Sequence, residues 1–99
     1  MPFIEITAAE LKDKINTEPN LFIIDVRDEF EFEDNNIGGI NIPMRQVLAK
    51  AEEFSNHKEI YLCCKSGKRS KTVAYHLSQT LLNVKLYTLT GGISEYQNQ

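Results

Sequence analysis

The chain has 99 residues, 41% hydrophobic and 25% charged, with five glycines and three prolines. This is a globular composition that excludes collagen-like, low-complexity and disordered classes, and the length suits one domain over residues 1–99 with no room for a second. Eleven Lys and Arg against 14 Asp and Glu give a net charge of −3 and a pI near 5.3, which argues against nucleic acid or an anionic membrane as partner.

Thr7-Ala8-Ala9-Glu10 has the form of a capping box after a short alternating segment, so a strand over Phe3–Ile6 and a helix to about Ile15 are expected. Turn residues Asn16–Asn20 lead into Leu21–Val26, an apolar run of the kind that fills a central parallel strand covered on both faces. Asp28 opens a short helix to Asp34. Gly38-Gly39 precedes a strand over Ile40–Ile42 that Pro43 stops, and Val47, Leu48, Ala51 and Phe54 share one helical face. Ile60–Cys63 is a further strand, followed by a loop and a helix from about Ser70 to Leu82. Val84–Leu89 alternates like a strand nearer a sheet edge, and Gly91-Gly92 introduces a brief last helix through Tyr96. Strands alternating with helices predict an α/β fold with a mostly parallel sheet of about five strands, helices on both faces, and a ligand site beyond the carboxyl ends of the strands.

No apolar run approaches the ~18 residues of a membrane span, and Met1-Pro2-Phe3-Ile4-Glu5 lacks the features of a leader, so a cytoplasmic chain is expected. Cys63 and Cys64 are adjacent, close no loop and form no CxxC pair, which points to thiol chemistry. Cys64-Lys65-Ser66-Gly67-Lys68-Arg69 lies between a strand and a helix. There, loop N–H groups and the helix start can converge on an anion and favour a thiolate. Residues 64–72 hold Lys65, Lys68, Arg69 and Lys71 and no acid, a local charge of +4 against −7 for the rest. Strand alternation turns Cys63 away from this site, toward the core. A nucleotide P-loop is excluded because Leu62 stands where its first glycine belongs and Arg69 follows Lys68. His57, His76 and the cysteines lack metal-site spacing. Against a buried, inert Cys64 stand the glycine and the four cations that follow it.

Asp25-Val26-Arg27, Asn36-Ile37-Gly38-Gly39-Ile40-Asn41-Ile42-Pro43, Cys64–Ser70 and Gly91-Gly92-Ile93 resemble, in order and spacing, the motifs of a single rhodanese domain over about residues 5–96. The resemblance implies a sulfurtransferase that carries sulfane sulfur as a Cys64 persulfide, from thiosulfate or a persulfide donor, which can be a protein, to a thiol or cyanide. It implies no metal or organic cofactor, and the chain is expected to act as a monomer. Cys64 would be the nucleophile, with Lys65, Ser66, Gly67, Lys68 and Arg69 around the substrate. Arg69 serves equally as a ligand contact or as the partner of a carboxylate. Arg27 would bind the donor or brace the loop, with Asp25 and Ser70 in support. Tyr96 and Asn36 depart from the Trp and His that many rhodanese domains carry there. Two alternatives stay open. One is a phosphatase or arsenate reductase of the same fold, disfavoured because such enzymes place five residues between cysteine and arginine and this loop has four. The other is a non-catalytic carrier or partner-binding module.

Overall fold

A computed structural model describes residues 2–98, so Met1 and Gln99, the ends of the expected 1–99 domain, lie outside the described residues. Five strands, β1 (Ile4–Ile6), β2 (Ile23–Asp25), β3 (Ile40–Asn41), β4 (Glu59–Cys63) and β5 (Lys85–Leu89), form one sheet in the order β1-β5-β4-β2-β3. Every pairing is parallel. Five α-helices connect or follow them: α1 (Ala8–Thr17), α2 (Glu29–Asp34), α3 (Met44–Ala49), α4 (Lys68–Ser78) and α5 (Gly92–Gln97), with a 3₁₀ turn at Ala51–Phe54.

Register divides the core in two. Asp25 lies opposite Cys63, and Leu62 opposite Thr88. Directly opposed residues of a parallel pair point to the same side, so the odd and even positions of β2, β4 and β5 sort onto separate faces. Ile24, Val26, Ile60, Leu62, Cys64 and Leu86 pack with Val47 of α3 and Val73, Ala74 and Leu77 of α4. Ile23, Tyr61, Cys63, Tyr87 and Leu89 pack with Ala8 and Leu11 of α1 and Ile93 of α5. Helices therefore cover both faces.

The structure differs from the sequence reading at several points. β5 is interior, between β1 and β4, and Leu86 through Leu89 are all buried. Its alternation comes from polar atoms satisfied inside: Thr88 bonds to Ser70, and the Tyr87 hydroxyl donates to Glu59. β2 is ladder-paired only over Ile23–Asp25. The stripe from Val47 to Phe54 is broken at Lys50 into α3 and the 3₁₀ turn. α4 begins at Lys68 and ends at Ser78, because Gly67, at φ +99°, turns the chain into the helix before Ser70 is reached. As expected, α1 carries its capping box: Thr7 N–H donates to Glu10 and Glu10 N–H to the Thr7 hydroxyl. Among the described residues, no helix is long and apolar enough to cross a membrane.

Candidate active site

The carboxyl ends of β4 and β2 hold the functional candidates side by side. Cys64 follows β4 and is fully buried. Its Sγ accepts N–H bonds from Gly67 at 3.1 Å and from Ser70 at 3.3 Å, and lies 3.6 Å from Ser70 Oγ. Ser70 is the third residue of α4, so its amide is one of the donors that an α-helix leaves without an intrahelical acceptor. No side chain of the Gly67 N-cap can serve it, and the Cys64 sulfur takes that role. Two N–H dipoles and the positive helix end thus converge on one sulfur, an arrangement that stabilises negative charge there.

Two glycines make the loop possible. A Cβ at Gly92, at φ +64°, would stand 2.3 Å from the Lys65 carbonyl oxygen and 2.5 Å from that of Cys64. That close approach lets Ile93 N–H donate to the Cys64 carbonyl at 2.8 Å and Ser94 N–H to the Lys65 carbonyl at 3.1 Å. The start of α5 therefore clamps the loop from beneath. Gly67 is itself buried against the Leu89 carbonyl, 3.2 Å from where its Cβ would lie.

The cations fall into two kinds. Arg27 is buried and forks onto Asp25, with Nε at 3.0 and 3.1 Å and Nη2 at 2.8 Å from its carboxylate; Nη2 also donates to the Asn35 carbonyl at 2.7 Å. Asp25, fully buried, further accepts the Arg27 backbone N–H, and its hydrogen bonding drives the Arg27 guanidinium above its ordinary range. Arg69 forks onto Glu31 of α2 at 2.9 and 3.0 Å, and that hydrogen bonding pulls the Glu31 carboxyl down to about 2. Lys71 reaches Glu5 at 3.1 Å between exposed side chains. Lys65, Ser66 and Lys68 are exposed, and neither lysine is in an ion pair among the described residues. The local +4 of the sequence therefore leaves two cations open to an incoming anion.

A cleft of about 370 Å³ lies beside the loop, lined by Arg27, Phe30, Glu31, Asn35, Lys65 and Ile93 among others. Another, of about 480 Å³, opens at the amino ends of β2 and β4 around Phe22 and His57, whose rings stack at 3.8 Å. It is at the wrong end of the sheet for Cys64. Three supporting residues were not read from the sequence. Glu31 was visible only as one acid of an acidic helix. Asn41, whose amide donates to the Asp25 and Arg27 carbonyls at 3.0 and 2.9 Å, lies inside the Asn36–Pro43 motif without standing out. Thr88 had one signal, a hydroxyl on an otherwise apolar stripe. Tyr96 is half-buried against the α1 cluster with Lys12 Nζ 4.7 Å from its ring centre, and Asn36 closes a local turn by accepting the Gly38 N–H. Among the described residues, no group of three or more His, Cys, Asp or Glu is placed to hold a metal ion.

The family model for the rhodanese-like domain matches residues 7–99. The chain belongs to the rhodanese-like domain family. A protein of Bacillus subtilis (strain 168) named "Putative sulfurtransferase YtwF" is 31% identical over 100 aligned positions, covering all of this chain and 95% of that protein. Another from the same organism, "Putative sulfur carrier protein YrkF", is 38% identical over 71 residues, which is 71% of this chain but 38% of that protein's length. The crystal structure of SSP1007 from Staphylococcus saprophyticus superposes with a TM-score of 0.82 at 33% identity, covering 95% of this chain and 93% of the other. This rhodanese-like chain thus has relatives named for sulfur transfer and for sulfur carriage.

Proposed function

We propose that this rhodanese-like domain is a sulfurtransferase that carries sulfane sulfur on Cys64. The observation that carries the reading is the sulfur of Cys64 held between the Gly67 and Ser70 amides at the start of α4. The Cys64 thiolate attacks the outer sulfur of thiosulfate; a new S–S bond forms, the old S–S bond breaks, and sulfite leaves with its electron pair. With a persulfide donor the leaving group is the donor's thiolate. An acceptor thiolate or cyanide then attacks the terminal sulfur and expels the Cys64 thiolate. Lys65 and Lys68 draw in the anionic donor, and Ser66 and Gly67 belong to the wall around the transferred sulfur. Asp25 and Arg27 brace the end of β2, Arg69 ties the loop to α2, and Ser70 supports the sulfur. We further assign the domain to residues 1–99, working in the cytoplasm as a monomer without a cofactor.

The Arg69 pairing bears on the phosphatase alternative. A phosphate cradle needs a guanidinium free to clasp two phosphoryl oxygens, whereas both Arg69 terminal nitrogens are spent on Glu31. Thiosulfate incubation followed by mass spectrometry tests the proposal: the chain is expected to gain about 32 Da, one sulfur, on the Cys64 peptide, and cyanide should remove it. No gain on Cys64, with the protein folded, would sink the reading in favour of a non-catalytic module.

A further inference from the structure

Behind Ser70 stands a residue that sulfur transfer as described leaves unused. Thr88 of β5 is fully buried, on the sheet face that also carries Leu62 and Leu86. Its Oγ1 is 2.6 Å from Ser70 Oγ, its hydrogen-bond partner among the described residues. Ser70 Oγ also donates to the Gly67 carbonyl at 3.2 Å and receives the Cys64 thiol at 3.6 Å.

Counting hydrogens assigns the directions. Each hydroxyl has one hydrogen to give. A buried hydroxyl hydrogen without an acceptor is strongly disfavoured, and Ser70 Oγ is the acceptor within reach of Thr88. Thr88 therefore donates to Ser70, and the Ser70 hydrogen is left for the Gly67 carbonyl. While Cys64 is a thiol, its S–H also points to Ser70 Oγ, and that oxygen is saturated. Once the thiol proton passes to solvent, the lone pairs of a charged sulfur face Ser70 Oγ. A small rotation then turns the Ser70 hydrogen from the carbonyl to the sulfur, while Thr88 continues to hold the oxygen from behind.

We propose that Thr88 is a positioning residue of this site: by donating to Ser70 Oγ, it leaves the Ser70 hydroxyl as a third donor to the anionic sulfur of Cys64, beside the Gly67 and Ser70 amides. The inference rests on the reading of Cys64 as the nucleophile. The O–H to sulfur contact is long, so its effect is smaller than loss of the nucleophile.

The test compares Thr88→Val, which keeps the shape and loses the hydroxyl, with Thr88→Ser, which keeps the hydroxyl, alongside Ser70→Ala and the Ser70→Ala/Thr88→Val double variant. Iodoacetamide labelling of Cys64 is followed across pH by mass spectrometry, and thiosulfate turnover is measured on the same folded samples. Thr88→Val is expected to move the midpoint of the labelling profile up by about half to one pH unit and to slow turnover about three- to tenfold. Thr88→Ser restores both, and the double variant matches Ser70→Ala. A wild-type profile in Thr88→Val, or an effect that persists undiminished in the Ser70→Ala background, overturns the relay. Should Thr88→Val fail to fold, Thr88→Ala carries the same test, and a folded Thr88→Ala with the wild-type profile overturns it equally. Labelling needs no sulfur donor, which separates the two failures. A wild type inert to thiosulfate but with a Thr88-dependent profile refutes the transferase and supports the relay, and a competent wild type with a Thr88-independent profile does the reverse.

Discussion

Cys63 and Cys64 are neighbours in the chain but belong to opposite faces of the sheet, and their surroundings differ in kind. Cys63 lies against the α1 and α5 side, opposite Asp25 in register. Burial pushes its thiol well above the ordinary range, the Asp25 carboxylate adds to this, and Arg27 offsets part of it. Cys64 is equally buried, yet two N–H groups aim at its sulfur. Burial alone therefore does not distinguish the two thiols; the backbone donors aimed at the Cys64 sulfur do. The cations divide in a parallel way. Arg27 and Arg69 are committed as forks to Asp25 and Glu31, which suits the planar guanidinium, while among the described residues Lys65 and Lys68 are in no ion pair. Basic residues in the first turn of α4 oppose its dipole, so Lys68 is a cost to the helix that an anionic substrate would offset.

The widest break in that comparison is the thiol itself. Cys64→Ser is expected to lower sulfur transfer at least about 10³-fold with the fold intact, since a hydroxyl neither ionises at neutral pH nor forms a persulfide. Cys63→Ala is expected to keep most activity and to cost about 1 kcal/mol of stability through a small cavity. Cyanide-coupled turnover and urea unfolding on both variants read the two effects; similar activity losses in two folded variants would mean that the faces are not chemically distinct.

The Cys63 face is broken through its ion pair. Asp25→Asn leaves the Arg27 guanidinium buried without its carboxylate, at an expected cost of about 3–5 kcal/mol, a large part of a small domain's stability. Chemical denaturation measures it. A loss under about 1 kcal/mol would show that the Asn35 carbonyl and solvent satisfy Arg27 without help.

On the open side of the loop the effect is smaller and kinetic. Lys65→Gln with Lys68→Gln is expected to lower kcat/KM for thiosulfate about three- to tenfold, chiefly through KM, with a weaker dependence on ionic strength than the wild type. An unchanged KM in the double variant would remove the lysines from donor capture.

Much of this arrangement was legible in the sequence, and the reasons differ by residue. The apolar runs of β2 and β4 and the stripe of α4 follow from periodicity, and the clustered cations after Cys64 marked the loop. What could not be read was the pairing of charges. Arg69 and Glu31 are 38 residues apart, and no local rule links them. α4 starts two residues before Ser70, whose side chain has the chemistry of an N-cap, because Gly67 and the Cys64 sulfur cap the helix instead. Thr88 sits in an alternation that resembles an edge strand's, because a strand whose polar atoms are satisfied internally has the same pattern as one facing water.

The smallest expected effect is also the one with a defined pH signature. The Glu31 carboxyl is held at about 2, first by the Arg69 guanidinium and then by the Asp28 N–H, with burial opposing both. Its ordinary value is 4.5, so folding favours the carboxylate. The stabilisation is complete above about pH 4.5 and fades as the pH falls from there toward about 2, because below that value both states are protonated. The Arg69 side chain is 38% exposed, and solvent screening limits the pair to about 1 kcal/mol at neutral pH. Glu31→Gln is therefore expected to be less stable than the wild type by that amount near pH 7. The gap should close across the acid window, since glutamine does not titrate and the other carboxylates move both proteins alike. Urea unfolding of the two proteins at neutral pH and at several points below about pH 4.5 follows the difference. A gap that stays constant or widens in acid would mean that the fork to Arg69 is not what holds the Glu31 carboxyl down, and that the tie between α2 and the Cys64 loop has another origin.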